Sequence, residues 1–402
     1  MRIAILTQTS RPVGGLATYL QLVIPALAER GHDIGFWHEL GPPPTAAPFA
    51  LPQGSQSWSV EALGVERAMR ELRAWRPDVL FAHGLSDPGL EARTLEVAPG
   101  VFVAHAYYGT CISGAKAFKF RETRPCDRKF GWPCVANFYP RRCGGWSPIT
   151  MAREFRRQSD RLALLSTYRA IVTLSGHMQE EYERHGLRAT RIKGAIEPGP
   201  VVDDAGAITS DREWRLLFVG RMDALKGGTF LLDALPHAAQ QLKRTLSLTF
   251  AGDGPARASW SAHAAALTRR DPQLHVEFVG WLDRDDVDRR MAASDLLMLP
   301  SVWPEPFGLV GLEAGHRRLP VAAFDVGGIS EWLRPGVNGH LAPGDPPTAT
   351  GLADAIVACL RDRQTHDRLR HGAASMAAEF GVDEHIRALL ETLRAAATVP
   401  AS

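Results

Sequence analysis

The sequence of 402 residues has no apolar run that approaches the roughly 20 residues needed to cross a bilayer. The apolar stretch after Arg2 is four residues long, Ile3 to Leu6. That is too short for the core of a signal peptide and is typical of a buried first strand. A hydrophobic content of 45% and a charged content of 22% are those of a globular protein. We therefore expect a cytoplasmic globular protein, and its length predicts two domains.

The chain also has little net charge, +2, but the charge is unevenly distributed. Residues 1–200 contain 25 basic and 18 acidic residues, and residues 115–170 contain 13 basic and 4 acidic residues. Such a basic segment is most often a solvated face. It also suits an anionic membrane surface, which would place the protein on the inner face of a membrane, or a phosphate-bearing acceptor. No nucleic-acid-binding motif accompanies it, so we expect no nucleic-acid partner.

Short apolar runs alternate with helical segments in both halves of the sequence. The runs are Arg2–Thr7, Ile34–Trp37, Val79–Ala82, Val101–Ala104 and Ile171–Leu174, then Leu216–Val219, Leu246–Phe250, Val276–Val279, Leu296–Leu299 and Val321–Ala323. This alternation predicts an α/β protein with parallel sheets covered by helices on both faces. Because the pattern occurs twice, we predict two doubly wound, Rossmann-like domains facing a central cleft.

The predicted domains are residues 1–200 and 206–375, joined by a linker within residues 198–214. Residues 376–402 are predicted to form a final helix.

The most informative stretch runs from Ser301 to Ala314 and reads SVWPEPFGLVGLEA. It places Glu305 and Glu313 around a predicted helix start. Helix N-termini present unpaired N–H groups and a positive dipole end, which favour phosphate. Carboxylates bond well to vicinal hydroxyls, so we predict that one glutamate binds a sugar and the other a ribose. The alternative is that the acidic residues only suit the helix dipole. The predicted phosphate-binding amides belong to Gly308, Leu309 and Val310.

Glu305 and Glu313, with Pro306, Phe307 and Gly308 between them, resemble the signature of the retaining glycosyltransferases of family 4, which have the GT-B fold. Three further segments resemble the family in order and spacing, and the resemblance covers residues 215 to about 345. These segments are Leu217–Met222 with Lys226–Gly228, Ala251–Pro255 and Phe278–Leu282. In the N-terminal half, the resemblance rests on Gly14, Gly15 and His105. The resemblance also implies that the final helix, within residues 376–402, packs back toward the first domain.

Arg221 and Lys226 follow the first predicted strand of the second domain. Two cations near one helix start suit a diphosphate, because the arginine guanidinium donates two parallel hydrogen bonds and the lysine ammonium acts as a point charge. The resemblance implies that this pair holds the donor diphosphate and stabilises the leaving nucleotide, so that catalysis needs no metal cofactor. No Asp-x-Asp sequence suited to Mg²⁺ is evident beside it. Ordinary surface charge is the alternative.

Further donor-binding residues are predicted at other strand ends of the second domain. Gly252 and Gly254 suit a tight strand-to-helix turn, although a turn by itself needs no ligand. Gly220 and Gly252 are the glycines predicted to bind the donor. Trp281 and Leu282 would lie against the nucleotide base, or Trp281 would be a half-buried core residue.

In the first domain, Gly14 and Gly15 would let the backbone approach the donor phosphate or the acceptor, or would form only a turn. His105 ends a predicted strand, and the resemblance implies that it bonds the donor sugar. A structural histidine is the alternative. His83 ends the preceding strand and is a second candidate, and Ser175 suits a helix N-cap.

Four of the five cysteines fall within 33 residues, in a basic insertion predicted at residues 106–150. A structural zinc ion, unpaired thiols and disulfides are all open, since the segment contains no C-x2-C pair. The cysteines are Cys111, Cys126, Cys134 and Cys143.

Together these features predict a retaining glycosyltransferase with a UDP- or GDP-linked sugar donor. Its acceptor would be a glycan, a lipid-linked molecule or a small molecule. A nucleotide-sugar epimerase of the same fold and a catalytically silent nucleotide-sugar-binding scaffold are the alternatives.

Overall fold

The computed structural model describes residues 1–11, 14–41, 49–120, 123–197 and 213–398. The chain divides into two compact units. The first contains the described residues of 1–115, 128–197 and 380–398, and the second those of 116–127 and 213–379. Most of the linker predicted at 198–214 lies outside the described residues, and Glu213 and Trp214 already belong to a strand.

Among the described residues of the first unit, seven parallel strands form one sheet in the order β3-β2-β1-β4-β5-β8-β9. The strands are β1 (Arg2–Thr9), β2 (Asp33–Leu40), β3 (Gln56–Ser59), β4 (Val79–Ala82), β5 (Gly100–Ala104), β8 (Ala170–Thr173) and β9 (Ala189–Arg191). Strands β4 and β5 are buried at every position, as expected for a sheet covered on both faces. The strand order reverses between β1 and β4, which is where doubly wound sheets bind ligands.

Helices connect these strands, and several begin at residues whose side chains cap them. They are α1 (Gly15–Glu29), α2 (Val60–Leu63), α3 (Val65–Trp75), α4 (Pro88–Leu95), α5 (Trp132–Asn137), α6 (Pro148–Leu165), α7 (Gly176–Arg184) and the final α14 (Val382–Thr398). The N-cap predicted at Ser175 is confirmed, because its side chain accepts a hydrogen bond from the Met178 amide.

The second unit repeats this plan. In its described part, six parallel strands form a sheet in the order β12-β11-β10-β13-β14-β15. They are β10 (Glu213–Val219), β11 (Thr245–Ala251), β12 (Leu274–Gly280), β13 (Leu296–Leu299), β14 (Val321–Phe324) and β15 (Gly339–Ala342). The helices are α8 (Gly228–Leu242), α9 (Arg257–Arg270), α10 (Arg284–Ala292), α11 (Leu309–His316), α12 (Ala349–Leu360) and α13 (Arg363–Ala378). Here the order reverses between β10 and β13.

Two parallel Rossmann-like sheets confirm the predicted α/β class. The predicted insertion 106–150 is not one part of the first unit, however. A two-stranded antiparallel pair, β6 (Ala117–Phe118) and β7 (Arg124–Pro125), belongs to the second unit, where Arg124 Nη1 lies 3.6 Å from Asp345 Oδ1. None of the helices in the described ranges is both long and apolar enough to cross a bilayer.

Candidate functional site

The carboxyl ends of the parallel strands in the second unit carry tight glycine turns. The Gly220 amide donates to the Ala251 carbonyl (3.0 Å), and the Gly252 amide donates to the Gly280 carbonyl (2.7 Å). Gly252 has φ +133°, and a Cβ added there would lie 2.0 Å from the Gly220 carbonyl oxygen. Glycine is therefore required at position 252 by backbone packing, and this packing brings the ends of β10, β11 and β12 together.

Lys226 ends a short 3-10 helix, Ala224–Lys226, just after β10. This turn is tied to the segment after β13, because the Leu225 carbonyl accepts hydrogen bonds from the amides of Val302 (2.9 Å) and Trp303 (3.1 Å). Gly227 follows with φ +70°, and a Cβ there would lie 1.8 Å from the Pro300 carbonyl oxygen. The lysine and the segment that carries Glu305 thus form one rigid piece at the reversal point between β10 and β13.

Glu305 pairs with Lys226 within this piece. Its Oε1 accepts from Lys226 Nζ (2.5 Å) and from Ser301 Oγ (2.5 Å). The Glu305 side chain is 7% exposed and that of Lys226 is 27% exposed, so the pair is largely removed from water. A charge-assisted bond in such surroundings is strong and directional. Sequence reasoning placed both residues in the site but did not predict their contact or the role of Ser301.

The Glu305 backbone is held by the glycine pair after β14. Its carbonyl accepts from the Gly328 amide (2.7 Å), and a Cβ on Gly327, where φ is +63°, would lie 2.2 Å from the same oxygen. These contacts place the Gly327–Gly328 turn directly against the segment that carries the Glu305 carboxylate.

Helix α11 begins where the sequence predicts, with Gly308 as its N-cap at φ +83°. The fully buried Trp332 fixes this start, because its Nε1 donates to the Phe307 carbonyl (2.7 Å). Its ring packs on Gly311, where a Cβ would lie 2.0 Å from a ring carbon. Sequence reasoning missed Trp332. The three residues whose amides are predicted to bind phosphate are half-buried here, namely Gly308, Leu309 and Val310.

The remaining predicted donor-side residues differ in exposure. Pro306 and Phe307 are buried, whereas Glu313, on α11, is half-buried. Arg221 is exposed directly after β10. Trp281 is 62% exposed directly after β12, which excludes the alternative that it is a core residue. Leu282 beside it is half-buried and precedes the Asp283 N-cap of α10.

In the first unit, His105 follows β5 and lies beside His83, which follows β4. His83 Nδ1 and His105 Nε2 are 3.0 Å apart and share a hydrogen bond. Burial, with a smaller contribution from His385, lowers the pKa of His105 to about 3, and burial lowers the pKa of His83 well below its usual value. Both rings are therefore neutral near pH 7, and a neutral imidazole can donate and accept at the same time.

Two residues that sequence reasoning missed complete this cluster. The Tyr19 ring of α1 lies 4.9 Å from the His105 ring, and the Tyr19 hydroxyl lies 2.9 Å from Nε2 of His385 on α14. His385 Nδ1 in turn lies 2.7 Å from the Lys193 carbonyl oxygen. The final helix therefore belongs to the first unit and buries a histidine beside the candidate site residue.

Gly14 and Gly15 open α1 at the carboxyl side of β1. Gly14 has φ +90°, and an added Cβ at either glycine would meet no described atom within 4 Å. The start of α1 is therefore open, as backbone contact with a ligand would require.

The structure does not bring the four clustered cysteines into a metal site. Cys126 lies in the segment assigned to the second unit, whereas Cys111, Cys134 and Cys143 belong to the first. Within the described ranges, no group of three or more histidine, cysteine or acidic side chains is placed to hold a metal ion. The predicted zinc site is therefore not confirmed, and strands β6–β7 and helices α5–α6 divide the segment that carries the cysteines.

Comparisons with known proteins agree with this architecture. The sequence model of the family described as Glycosyl transferases group 1 matches residues 213–362, and that of Glycosyltransferase Family 4 matches residues 13–193. The alpha-D-kanosaminyltransferase of Streptomyces kanamyceticus is 30% identical over 284 residues, which are 66% of this chain and 70% of that protein. A phosphatidyl-myo-inositol mannosyltransferase of Mycobacterium tuberculosis is 26% identical over 385 residues, or 92% and 90% of the two chains.

A solved structure supports the same fold. Anabaena HepE, in complex with UDP and glucose, aligns with a TM-score of 0.68 at 20% identity and covers 98% of this chain and 99% of its own. This structural similarity to HepE shows that the two chains share a fold.

Proposed function

Since this chain belongs to the GT-B glycosyltransferases of the family 4 and group 1 type, we propose that it transfers a sugar from a nucleotide-diphosphate donor to an acceptor hydroxyl. The proposed transfer retains the configuration of the anomeric carbon. The observation that carries the proposal is the pair of Lys226 and Glu305 at the strand-order reversal of the second unit. A cation for the diphosphate and a carboxylate for the sugar meet where doubly wound sheets bind ligands.

Lys226 is proposed to contact the donor diphosphate while it stays bonded to Glu305. An ammonium group has three N–H donors, and one of them is directed to Glu305 Oε1. The others are proposed to bond phosphate oxygens, together with the exposed guanidinium of Arg221. The amides at the start of α11 would bind the same anion through the helix dipole. These groups would stabilise the charge that develops on the leaving nucleotide without a metal cofactor.

Glu305 is proposed to orient the donor sugar. The side-chain hydrogen bonds that Glu305 accepts from described residues, one from Lys226 and one from Ser301, both fall on Oε1. That arrangement leaves Oε2 to accept a bond from a sugar hydroxyl. Glu313 is proposed to bind the ribose, Trp281 and Leu282 to contact the base, and His105 to bond the sugar as a neutral imidazole.

The proposed reaction is a front-face displacement. The bond between the anomeric carbon and the β-phosphate oxygen breaks, and its electron pair goes to the phosphate. The acceptor oxygen forms a bond to the anomeric carbon on the same face, and its proton passes to the departing phosphate oxygen. No carboxylate is assigned as a covalent nucleophile, and the role proposed for Glu305 is to orient the donor sugar.

The donor base and the acceptor stay open within this proposal. HepE was solved with UDP, which supports a uridine donor, and a guanosine donor is the alternative. The relatives are named for a kanosaminyl transfer and for mannosyl transfer to phosphatidyl-myo-inositol. The second name supports a lipid-linked acceptor, and a glycan or a small-molecule acceptor is also proposed.

Calorimetric titration with UDP, GDP and ADP in the presence of EDTA tests the donor half. We expect one diphosphate to bind without metal and the Glu313→Ala variant to bind it at least tenfold more weakly. Glu277→Ala removes an exposed carboxylate elsewhere in the same unit and should bind normally. Binding to none of the three would contradict the assignment.

Transfer kinetics test the catalytic half. Arg221→Ala should lower the rate of donor turnover more than it weakens nucleotide binding, and NMR of the product should show the anomeric configuration of the donor. Wild-type turnover in Arg221→Ala and Glu313→Ala would contradict the residue roles. Epimerisation of the donor without any acceptor would instead favour the epimerase alternative.

A further inference from the structure

The segment of residues 128–157 carries exposed apolar side chains that neither the fold nor the proposed site uses. In the described part of the chain, the three most exposed large hydrophobic residues are Ile149 (79%), Trp132 (76%) and Trp146 (68%). They fall within 18 residues of one another in the sequence. All three lie at helix α6, because Trp132 packs on Phe155 of that helix and Trp146 and Ile149 flank its N-cap, Ser147. Single exposed apolar side chains are ordinary, but several at one helix mark an interaction surface.

A folded scaffold holds these side chains outward. Trp132 begins α5, and its ring lies 5.4 Å from that of Phe155 on α6. Trp146 stacks beside Tyr139, with ring centroids 6.5 Å apart and an interplanar angle of 21°. Ile149 lies in the first turn of α6, which Ser147 caps by accepting from the Thr150 amide. These side chains are therefore exposed on folded helices and adjoining residues that pack against their neighbours.

The same segment is strongly basic. Residues 128–157 contain seven arginine and lysine residues and one acidic residue, Glu154. Positions 149, 153 and 156 recur at helical spacing on α6, so exposed Ile149, Arg153 and Arg156 share one helix face. The Arg142 guanidinium lies 5.0 Å over the Trp146 ring.

Cations beside tryptophan and an exposed aliphatic side chain match the interface of an anionic bilayer. Tryptophan prefers the headgroup level, and arginine is attracted to anionic headgroups. Ile149 cannot stack on a base or bond a phosphate, which disfavours nucleic acid as the occupant. It can enter the boundary between headgroups and acyl chains.

We propose that this basic aromatic face docks on an anionic lipid bilayer. We define the face by Trp132, Trp146, Ile149, Arg142, Arg153 and Arg156. The apolar side chains would insert at the acyl boundary and the arginines would contact lipid headgroups. The inference is independent of the proposed sugar-transfer chemistry, since it uses none of the donor-side residues.

Vesicle flotation of the full chain tests it. We expect binding to vesicles with 30% phosphatidylserine and none to pure phosphatidylcholine, and the binding should fall at 0.5 M NaCl. Each cation near such a surface contributes about fivefold, so Arg153→Gln with Arg156→Gln should weaken binding about 30-fold. Arg269→Gln with Arg270→Gln removes two exposed cations of α9 and should bind as the wild type does.

Insertion is tested with vesicles whose acyl chains carry bromine. Tryptophan fluorescence should be quenched in the wild type and largely spared in Trp132→Phe with Trp146→Phe, while binding of UDP or GDP is unchanged. Failure of the wild type to bind phosphatidylserine vesicles would overturn the proposal. So would a wild-type dimer that Trp132→Ala with Trp146→Ala dissociates, because the face would then be covered by a second copy of the chain.

Discussion

Replacing Lys226 with methionine should destabilise the protein through Glu305. Removing one partner of a buried ion pair costs about 3–5 kcal/mol because the other charge stays buried and uncompensated. Lys226 is 27% exposed and Ser301 still donates to the carboxylate, so we expect the lower end, about 3 kcal/mol. In a domain of 150–250 residues this lowers the melting temperature by roughly 6–12 °C.

A double-mutant cycle of Lys226 and Glu305 shows whether the two residues stabilise the protein as an interacting pair or independently of each other. Glu305→Gln alone should cost about 1 kcal/mol, since the amide keeps the bond from Ser301 and Lys226 reaches water. The combination with Lys226→Met should cost only about 2 kcal/mol, because no buried charge is then left unpaired. Thermal melting of all three variants, with Arg270→Met as a control for charge removal, measures this coupling. Additive losses, or a Lys226→Met shift no larger than that of Arg270→Met, would refute the reasoning.

Three further predictions address the rest of the site. Gly252→Ala should abolish nucleotide binding and lower the melting temperature well below that of Gly336→Ala, since Gly336 has φ +77° but open space around it. The folded-state pKa of His105, about 3, lies below the ordinary 6.5, so the unfolded chain takes up the proton first and stability is lost as the pH falls from 6.5 toward 3. At pH 5 this lowers the free energy of unfolding by about 2 kcal/mol. The melting temperature of His105→Gln should therefore fall less than that of the wild type between pH 7.5 and 5, and equal falls in the two proteins would contradict the assignment. Trp281→Ala should weaken nucleotide binding about tenfold by titration with no change in melting, and Trp146→Ala should change neither.

Local structure could be predicted from the amino-acid sequence with good accuracy. The strands predicted at Val79–Ala82 and Leu296–Leu299 are observed with the same bounds, and the helix predicted after Gly308 begins there. These elements were predictable because buried parallel strands are short, continuous apolar runs, and because capping residues act within three or four positions of themselves. The two-domain α/β class and the strand-end positions of the site motifs follow from the same local signals.

The contacts between distant side chains could not be predicted in this way, because they depend on how the whole chain packs. Lys226 and Glu305 are 79 residues apart, and Tyr19 and His385 are 366 apart, yet both pairs form hydrogen bonds. Their contact depends on which strands are neighbours and on where the last helix packs, and neither leaves a periodic mark in the sequence. The clustered cysteines show the converse, since residues close in sequence are divided between two units. Local sequence patterns indicate the secondary structure that each segment prefers. A site depends on the distances between segments, and the packing of the whole chain determines those distances.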